Sequence, residues 1–419
     1  MKSFPARLAS AERLDLAVAL DRRPEELPFL STLRDLPCGE RSLLEHTQAV
    51  MDALLEDPPP ASEPSGPPAL RPWWTGMPAA YVAALFQHVG LPEVCSPRPG
   101  RSRLAVPHAR ESVRLMRDRM RAWGLPFAVR EHAAALILAH SKAVGLVRSG
   151  APAATYRRMS CRLDLRALYH LGRAELRAAG GDQGQAGDAL EAFRRRAQGL
   201  GAFDGPYAGP LGPERVQQCG WQEPAELHRG LNALRYFELI ARMGEEQWFV
   251  ERLRQERSLP RGRLHLLVGS AGCGKSSWAL EHLAHTTIVS SDRMRQELTG
   301  DPADQSQNYL VFQRCMDRLR ERLREGEEAT FDATNYSEAL RSMPVQAARW
   351  CGAEIVSYFF DVSLAEVLER NQERQRSVPE GVVRKQHRLI EPPALYEADR
   401  HFVVGAGGDA RRYWPPAEA

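Results

Sequence analysis

The stretch Leu264-His265-Leu266-Leu267-Val268-Gly269-Ser270-Ala271-Gly272-Cys273-Gly274-Lys275-Ser276-Ser277 decides how this chain is read. An apolar run predicts a buried strand. A glycine-rich turn follows, then Lys-Ser, then a helical pattern over Ser277–His285. This is the phosphate-binding pattern G-x-x-x-x-G-K-[ST] in a strand-loop-helix setting. Gly269, Gly272 and Gly274 let the backbone curl until its N–H groups point at one anion. The start of the helix adds positive dipole at the same place. In this pattern Lys275 bridges the outer phosphates of a nucleoside triphosphate, Ser276 holds Mg²⁺, and Ser277 opens the helix behind them. Only four of the 56 basic residues are lysines. A lysine here, in a chain that otherwise uses arginine, fits a need for a compact point charge.

Around this stretch the pattern alternates. Strand-like runs at 264–268, 287–290, 329–332 and 355–360 are separated by helical stretches, which predicts a parallel sheet with helices on its faces. Residues 1–200 carry no period-two runs and read as helical. Glycine-rich segments at 179–187 and 199–212 mark the end of that region. Residues 227–257 read as one or two connecting helices ending before Pro260. The expected organisation is thus an all-α domain over 1–200, a helical linker over 201–260 and an α/β domain over 261–419. Pro58–Pro72, rich in Pro, Ser and Gly, reads as an exposed loop.

Composition narrows the class. A length of 419 residues suggests two domains, and 43% hydrophobic residues suffice for ordinary cores. The net charge of +3 gives no global basic field, so any nucleic-acid contact must come from local arginine clusters. Seven scattered cysteines without a C-x-x-C pair argue against structural zinc and a disulfide framework. No apolar run reaches the about 18 residues of a membrane span, and there is no long apolar leader. The expectation is a soluble, cytoplasmic chain with no membrane partner.

Three further segments carry chemistry. Asp292 follows the strand-like run 287–290, at the sheet edge where α/β proteins bind ligands. It can accept a proton from an attacking hydroxyl or cap the helix that follows. Asp332 closes the run 329–332. It can orient Mg²⁺ through water or cap the next helix. The arginine-rich stretch Arg370-Asn371-Gln372-Glu373-Arg374-Gln375-Arg376-Ser377-Val378-Pro379 can close over phosphates or stand as a solvated charge run.

In order and spacing, these motifs resemble the 5′-kinase domain of phage and bacterial polynucleotide kinases. That family carries GxxGxGKS, D-x-x-R, a D-[TA]-[TN]-N-like strand end, F-D-V, R-N-x-x-R and V-P. Here these read Gly269–Ser276, Asp292 with Arg295, Asp332–Asn335, Phe360-Asp361-Val362, Arg370-Asn371 with Arg374, and Val378-Pro379. The resemblance implies a P-loop NTPase fold. It implies Asp292 as general base on a 5′-hydroxyl, Arg295 on the acceptor's terminal phosphate and Arg374 as a lid arginine on the donor. The implied cofactors are ATP or another NTP with Mg²⁺. The implied partner is a nucleic-acid 5′-OH end, RNA favoured over DNA, in end repair. A small-molecule kinase and an NTP-switched nucleic-acid-binding regulator remain open as alternatives.

Residues 1–200 resemble an HD-type metal phosphohydrolase through Glu45-His46-Thr47, the segment Ala83–Pro92, His108, His140 and Arg173-Ala174-Glu175. The defining His-Asp doublet reads Gln87-His88 here, and the final aspartate reads Glu175. The resemblance implies a metal site of His46, His88, His108, His140 and Glu175. Its departures imply a kept fold and an impaired hydrolase, because Gln87 is a poor ligand and His88 cannot bridge two ions as aspartate can. The pattern also predicts an amphipathic helix over 110–123. Its face of Arg110, Arg114, Arg117 and Arg121 is either an RNA-backbone contact or a solvated helix face.

Overall fold

The computed structural model describes residues 3–38, 40–60, 76–91, 108–181, 184–302, 304–374 and 376–415. Most of the loop expected at Pro58–Pro72, together with Pro92 and Cys95, lies outside them. Two compact units divide the chain, one over Met1–Ser65 and Pro72–Tyr207, the other over Gly66–Arg71 and Ala208–Ala419.

Among the described residues, the first unit's regular elements are helices apart from one hairpin of two-residue strands. Its described elements are α1 (Phe4–Ala9), α2 (Leu16–Arg22), α3 (Pro28–Arg34), β1 (Pro37–Cys38), β2 (Arg41–Ser42), α4 (Leu43–Glu56), α5 (Met77–Phe86), α6 (His108–Ala122), α7 (Phe127–Ala139), α8 (Lys142–Arg148), α9 (Ala153–Ser160), α10 (Leu165–Ala178) and α11 (Gln185–Gly199). α5 lies at the centre, with every residue from Ala79 to Phe86 fully buried. A helix apolar on all sides must be enclosed by others, and α5 packs against α1, α4, α7 and α10.

Local chemistry sets where the polar side chains fall. Ser42 and Glu45 form a capping box. Ser42 Oγ accepts from the Glu45 N–H at 3.2 Å, and Glu45 Oε2 accepts from the Ser42 N–H at 2.7 Å. The box fixes the start of α4 and turns His46 inward, at 7% exposure. Gly90 lets α6 begin against the turn that follows α5. A Cβ at Gly90 would stand 2.5 Å from Ser112 N and 2.6 Å from His108 O, so only glycine fits without backbone movement. Ser112 Oγ completes the joint, accepting from the Gly90 N–H and donating to Gln87 O, both at 3.0 Å.

The arginine stripe expected on α6 is corrected here. Arg117 is 4% exposed and donates to the buried Glu131 carboxylate. Arg114 pairs with Glu111 and Asp118, and Arg121 with Asp118. A buried, carboxylate-bound guanidinium is no part of a nucleic-acid face. Helical periodicity placed these arginines together but could not show that α7 presents a carboxylate to one of them.

The second unit begins with α12 (Gly212–Gln218), α13 (Pro224–Leu239) and α14 (Glu246–Ser258). It continues β3 (Arg263–Val268), α15 (Lys275–His282), β4 (Thr287–Ser290), α16 (Ser291–Thr299), α17 (Asn308–Arg324), β5 (Glu328–Asp332), α18 (Glu338–Trp350), β6 (Glu354–Phe360), α19 (Leu364–Gln372), α20 (Glu380–Leu389), β7 (Arg400–Val404) and β8 (Ala410–Trp414). The sheet order is β4-β5-β3-β6-β7-β8. The first five strands in that order are parallel, and β8 returns antiparallel to β7. β3 is central, and Leu264 through Val268 are buried throughout, as a parallel strand covered on both faces requires. The four strands read from sequence are all present. β7 and β8 are additions to that reading.

Candidate functional sites

The loop after β3 has the geometry its glycines predict. Gly272 and Gly274 adopt φ of +83° and +97°. A Cβ on Gly269 would come within 2.5 Å of Cys273 Sγ. Asn335, itself at φ +45°, ties the loop after β5 to β3 by donating to Leu267 O at 2.9 Å. The Gly269 N–H donates to Thr334 O at 3.0 Å. The nest is thereby anchored to two neighbouring strands.

Lys275 is 7% exposed, and its Nζ donates to Ser270 O at 2.7 Å. The ammonium is thus held across the loop's concave side. Ser276 Oγ donates to Asp332 Oδ2 at 2.7 Å. Asp332 does not cap the following helix, since that position belongs to Ser337. A hydroxyl and a carboxylate side by side are hard oxygen donors suited to Mg²⁺. Ser277 lies in the first turn of α15.

Asp292 is not a cap either. Ser290 holds that position, and Asp292 sits inside the first turn of α16. Its side chain is 63% exposed and accepts from Arg295 Nη1 at 2.7 Å. Arg295 is 9% exposed and also donates through Nε to Asn308 Oδ1 at 3.2 Å. A solvent-facing carboxylate beside a steadied guanidinium stands at the carboxyl edge of the sheet.

The arginine-rich segment divides differently from its sequence pattern. Asn371 brackets Val378, donating to its carbonyl at 2.8 Å and accepting from its N–H at 3.0 Å. In the segment between them Arg374 and Arg376 are exposed. The arginine that touches the phosphate-binding loop is Arg370, which donates to Cys273 O at 3.4 Å and Ala406 O at 2.9 Å. Gln386, on α20, also reaches the loop, accepting from the Ala271 N–H at 2.8 Å. The sequence reading included Arg370 in the arginine-rich stretch but singled out Arg374, and it gave Gln386 no role. A helical count from Val367, whose carbonyl meets Gly272, would have placed Arg370 on the same side.

In the first unit the five expected residues converge. His46 comes from α4, His88 from the turn after α5, His108 from the start of α6, His140 from the end of α7 and Glu175 from α10. Ligand atoms of His88, His108 and His140 lie within 4.8 Å of one another, and so do those of His46, His88 and Glu175. Glu175 is fully engaged. Its Oε2 lies 3.2 Å from His46 Nε2, and its Oε1 lies 3.6 Å from His88 Nε2 and accepts from the Gln87 amide. Burial alone would raise the Glu175 carboxyl. The hydrogen bonds and charge of His46 and His88 outweigh it and hold the group below the usual carboxylate range.

The three-histidine face fits a transition-metal ion. His140 Nδ1 lies 2.7 Å from Ile137 O and must carry the proton, which leaves Nε2 as a donor. His88 Nδ1 and His108 Nε2 are buried with no hydrogen-bond partner. Burial lowers the pKa of His108 and of His140, and the neighbouring imidazoles reinforce this, so both favour the neutral, ligating form. Buried polar nitrogens without partners are costly unless something binds them.

Comparison with known proteins bears on the second unit. Residues 264–393 match the model of a family described as an AAA domain. Among solved structures, a gluconokinase from Sinorhizobium meliloti 1021 is similar at 18% identity, over 36% of this chain and 86% of that one, with a TM-score of 0.27. No curated protein matches the chain. The family match and the geometry of the loop together mark a P-loop of the nucleotide-binding kind in the carboxyl-terminal unit. Among the described residues no helix is long and apolar enough to cross a membrane.

Proposed function

We propose that this chain is a polynucleotide 5′-hydroxyl kinase that moves the γ-phosphate of an NTP to a 5′-OH end, with RNA favoured over DNA. The observation that carries the reading is the Asp292–Arg295 pair, one carboxylate and one guanidinium at 2.7 Å just past the carboxyl end of β4, two strands from the P-loop strand β3. A kinase acting on a nucleic-acid end needs both groups, a base for the hydroxyl proton and a cation for the adjoining phosphate.

In the reaction, the acceptor 5′-oxygen forms the new bond to the γ-phosphorus while the bond to the β–γ bridging oxygen breaks. Asp292 takes the hydroxyl proton, and the NDP leaves with the bridging oxygen. Lys275 leaves the Ser270 carbonyl for the β- and γ-phosphates. Arg370 lies beside the phosphate-binding loop, and Arg374, on the segment that Asn371 brackets, supplies charge to the donor phosphates. Ser276 and Asp332 are the residues that would hold Mg²⁺, which neutralises phosphate charge when bound.

The first unit supports a second, separate reading. His88, His108 and His140 would hold one transition-metal ion of the kind imidazole favours, such as Zn²⁺, Ni²⁺ or Co²⁺. Phosphodiesterase activity is impaired. Histidine stands where a bridging carboxylate is needed for two ions, and both oxygens of Glu175 are already taken by His46, His88 and Gln87.

The deciding experiment supplies γ-labelled NTP with Mg²⁺ to the full chain. RNA and DNA oligonucleotides bearing 5′-OH ends compete with 3′-phosphorylated mononucleosides and small polyols. Label on the oligonucleotide 5′ end supports the proposal. Label only on small hydroxyl compounds assigns a small-molecule kinase instead. NTP hydrolysis indifferent to every acceptor assigns an NTP switch.

A further inference from the structure

An exposed aromatic residue directly follows, in sequence, a partner of the proposed acceptor arginine. α17 already has a complete apolar face, since Val311, Cys315, Met316, Leu319 and Leu323 are at most 1% exposed. Tyr309, in the first turn of the same helix and seven residues before Met316, is nonetheless 78% exposed, and Phe312 stands one turn further on, partly exposed. Folding leaves the Tyr309 ring in water rather than packing it. Its place is not arbitrary. Asn308, the preceding residue, accepts from Arg295 Nε at 3.2 Å, and Arg295 is bound to Asp292 at 2.7 Å. One peptide step, about 3.8 Å between Cα atoms, thus separates the residue that steadies the acceptor arginine from the residue that carries the exposed ring.

We propose that Tyr309, flanked by Phe312, is the stacking platform for the base of the acceptor's 5′-terminal nucleotide. The inference rests on the polynucleotide-kinase reading and deepens it. With the 5′-hydroxyl at Asp292 and the adjoining phosphate at Arg295, the base of the same nucleotide is brought to the first turn of α17. Every base offers a π-face, so stacking there binds an end without selecting its sequence. The tyrosine hydroxyl is not required. The platform favours nucleic-acid ends over acceptors that lack a base, such as sugars and polyols.

The test is steady-state phosphorylation of 5′-OH oligonucleotides by the full chain. Tyr309→Ala is expected to raise KM for the oligonucleotide by about tenfold with kcat nearly kept, as loss of one base stack implies. Tyr309→Phe and Tyr309→Trp are expected to keep the wild-type KM. An oligonucleotide whose 5′-terminal residue is abasic should give wild type and Tyr309→Ala the same KM. Unchanged NTP affinity in Tyr309→Ala checks that the variant is folded. If Tyr309→Ala handles ordinary oligonucleotides like wild type, or Tyr309→Phe loses as much as alanine, the platform is overturned while the kinase reading stands. If the wild-type chain phosphorylates no oligonucleotide, the kinase reading falls and takes the platform with it.

Discussion

Ser276 and Asp332, 56 positions apart in sequence, meet through a hydrogen bond of 2.7 Å. The bond joins the last residue of the phosphate-binding loop to the end of the adjacent strand β5. It sets side by side the hydroxyl and the carboxylate proposed above to hold Mg²⁺, a pair of hard oxygen donors.

Asp332→Asn is therefore expected to raise the Mg²⁺ concentration needed for half-maximal transfer, and Ser276→Ala to do the same. Lys275→Ala removes the bridging charge and should lower transfer by about a hundredfold or more. Titration of activity against Mg²⁺ separates the first two from the third. A Mg²⁺ dependence unchanged in Asp332→Asn would contradict the assignment.

Asp292→Asn keeps the size of the side chain and can still accept from Arg295, but it cannot take a proton at neutral pH. Turnover should fall by about a hundredfold while NTP affinity is kept. Loss of NTP binding with turnover preserved would return Asp292 to a structural role.

Arg370 and Arg374 should behave differently. Arg370→Ala opens the contacts to Cys273 O and Ala406 O and is expected to weaken NTP binding about tenfold. Arg374→Ala should leave NTP affinity near wild type and depress kcat, with Arg374→Lys restoring it in part, since an ammonium lacks the guanidinium fork. Nucleotide binding by equilibrium fluorescence and kcat from single-turnover transfer distinguish the two effects. Equal NTP affinity in wild type and Arg370→Ala would assign Arg370 to holding the fold alone.

Metal analysis of the purified chain tests the first unit. About one transition-metal ion per chain is expected, lost in the double change His108→Ala with His140→Ala and kept in Lys275→Ala. Little phosphodiesterase activity should accompany it. Robust Mn²⁺- or Ni²⁺-dependent hydrolysis would show that the five residues form a working hydrolase after all.

Low pH should destabilise the first unit through His132. This residue is fully buried, and its Nε2 accepts from the Asp164 N–H at 3.2 Å. Burial lowers its pKa from 6.5 to about 3. The unfolded chain thus binds a proton that the folded one excludes. The stability contribution is complete above about pH 6.5 and is lost as pH falls toward about 3. Thermal unfolding of His132→Gln across that range should show a flatter pH dependence than wild type, and parallel curves would rule His132 out as a source.

What the sequence determined by itself was local. The glycine pattern and Lys275-Ser276 announce the P-loop, because a backbone nest is specified by consecutive residues. Four buried strands are legible as short apolar runs. β7 and β8 were missed because Arg400–Val404 contains few buried apolar positions in a row and Ala410–Trp414 is mostly polar and exposed. Only tertiary structure decided what depends on helices and strands meeting at a distance. Arg117 lies with its fellow arginines by period, yet α7 brings Glu131 against it and buries the pair. Arg370 and Arg374 look alike in the motif, and the bracket of Asn371 on Val378 separates them. His46 and Glu175 stand 129 positions apart, and no period within a helix can say that their side chains come to 3.2 Å. That contact follows from how α4, α5 and α10 pack, which is set by the fit of buried side chains across the whole unit.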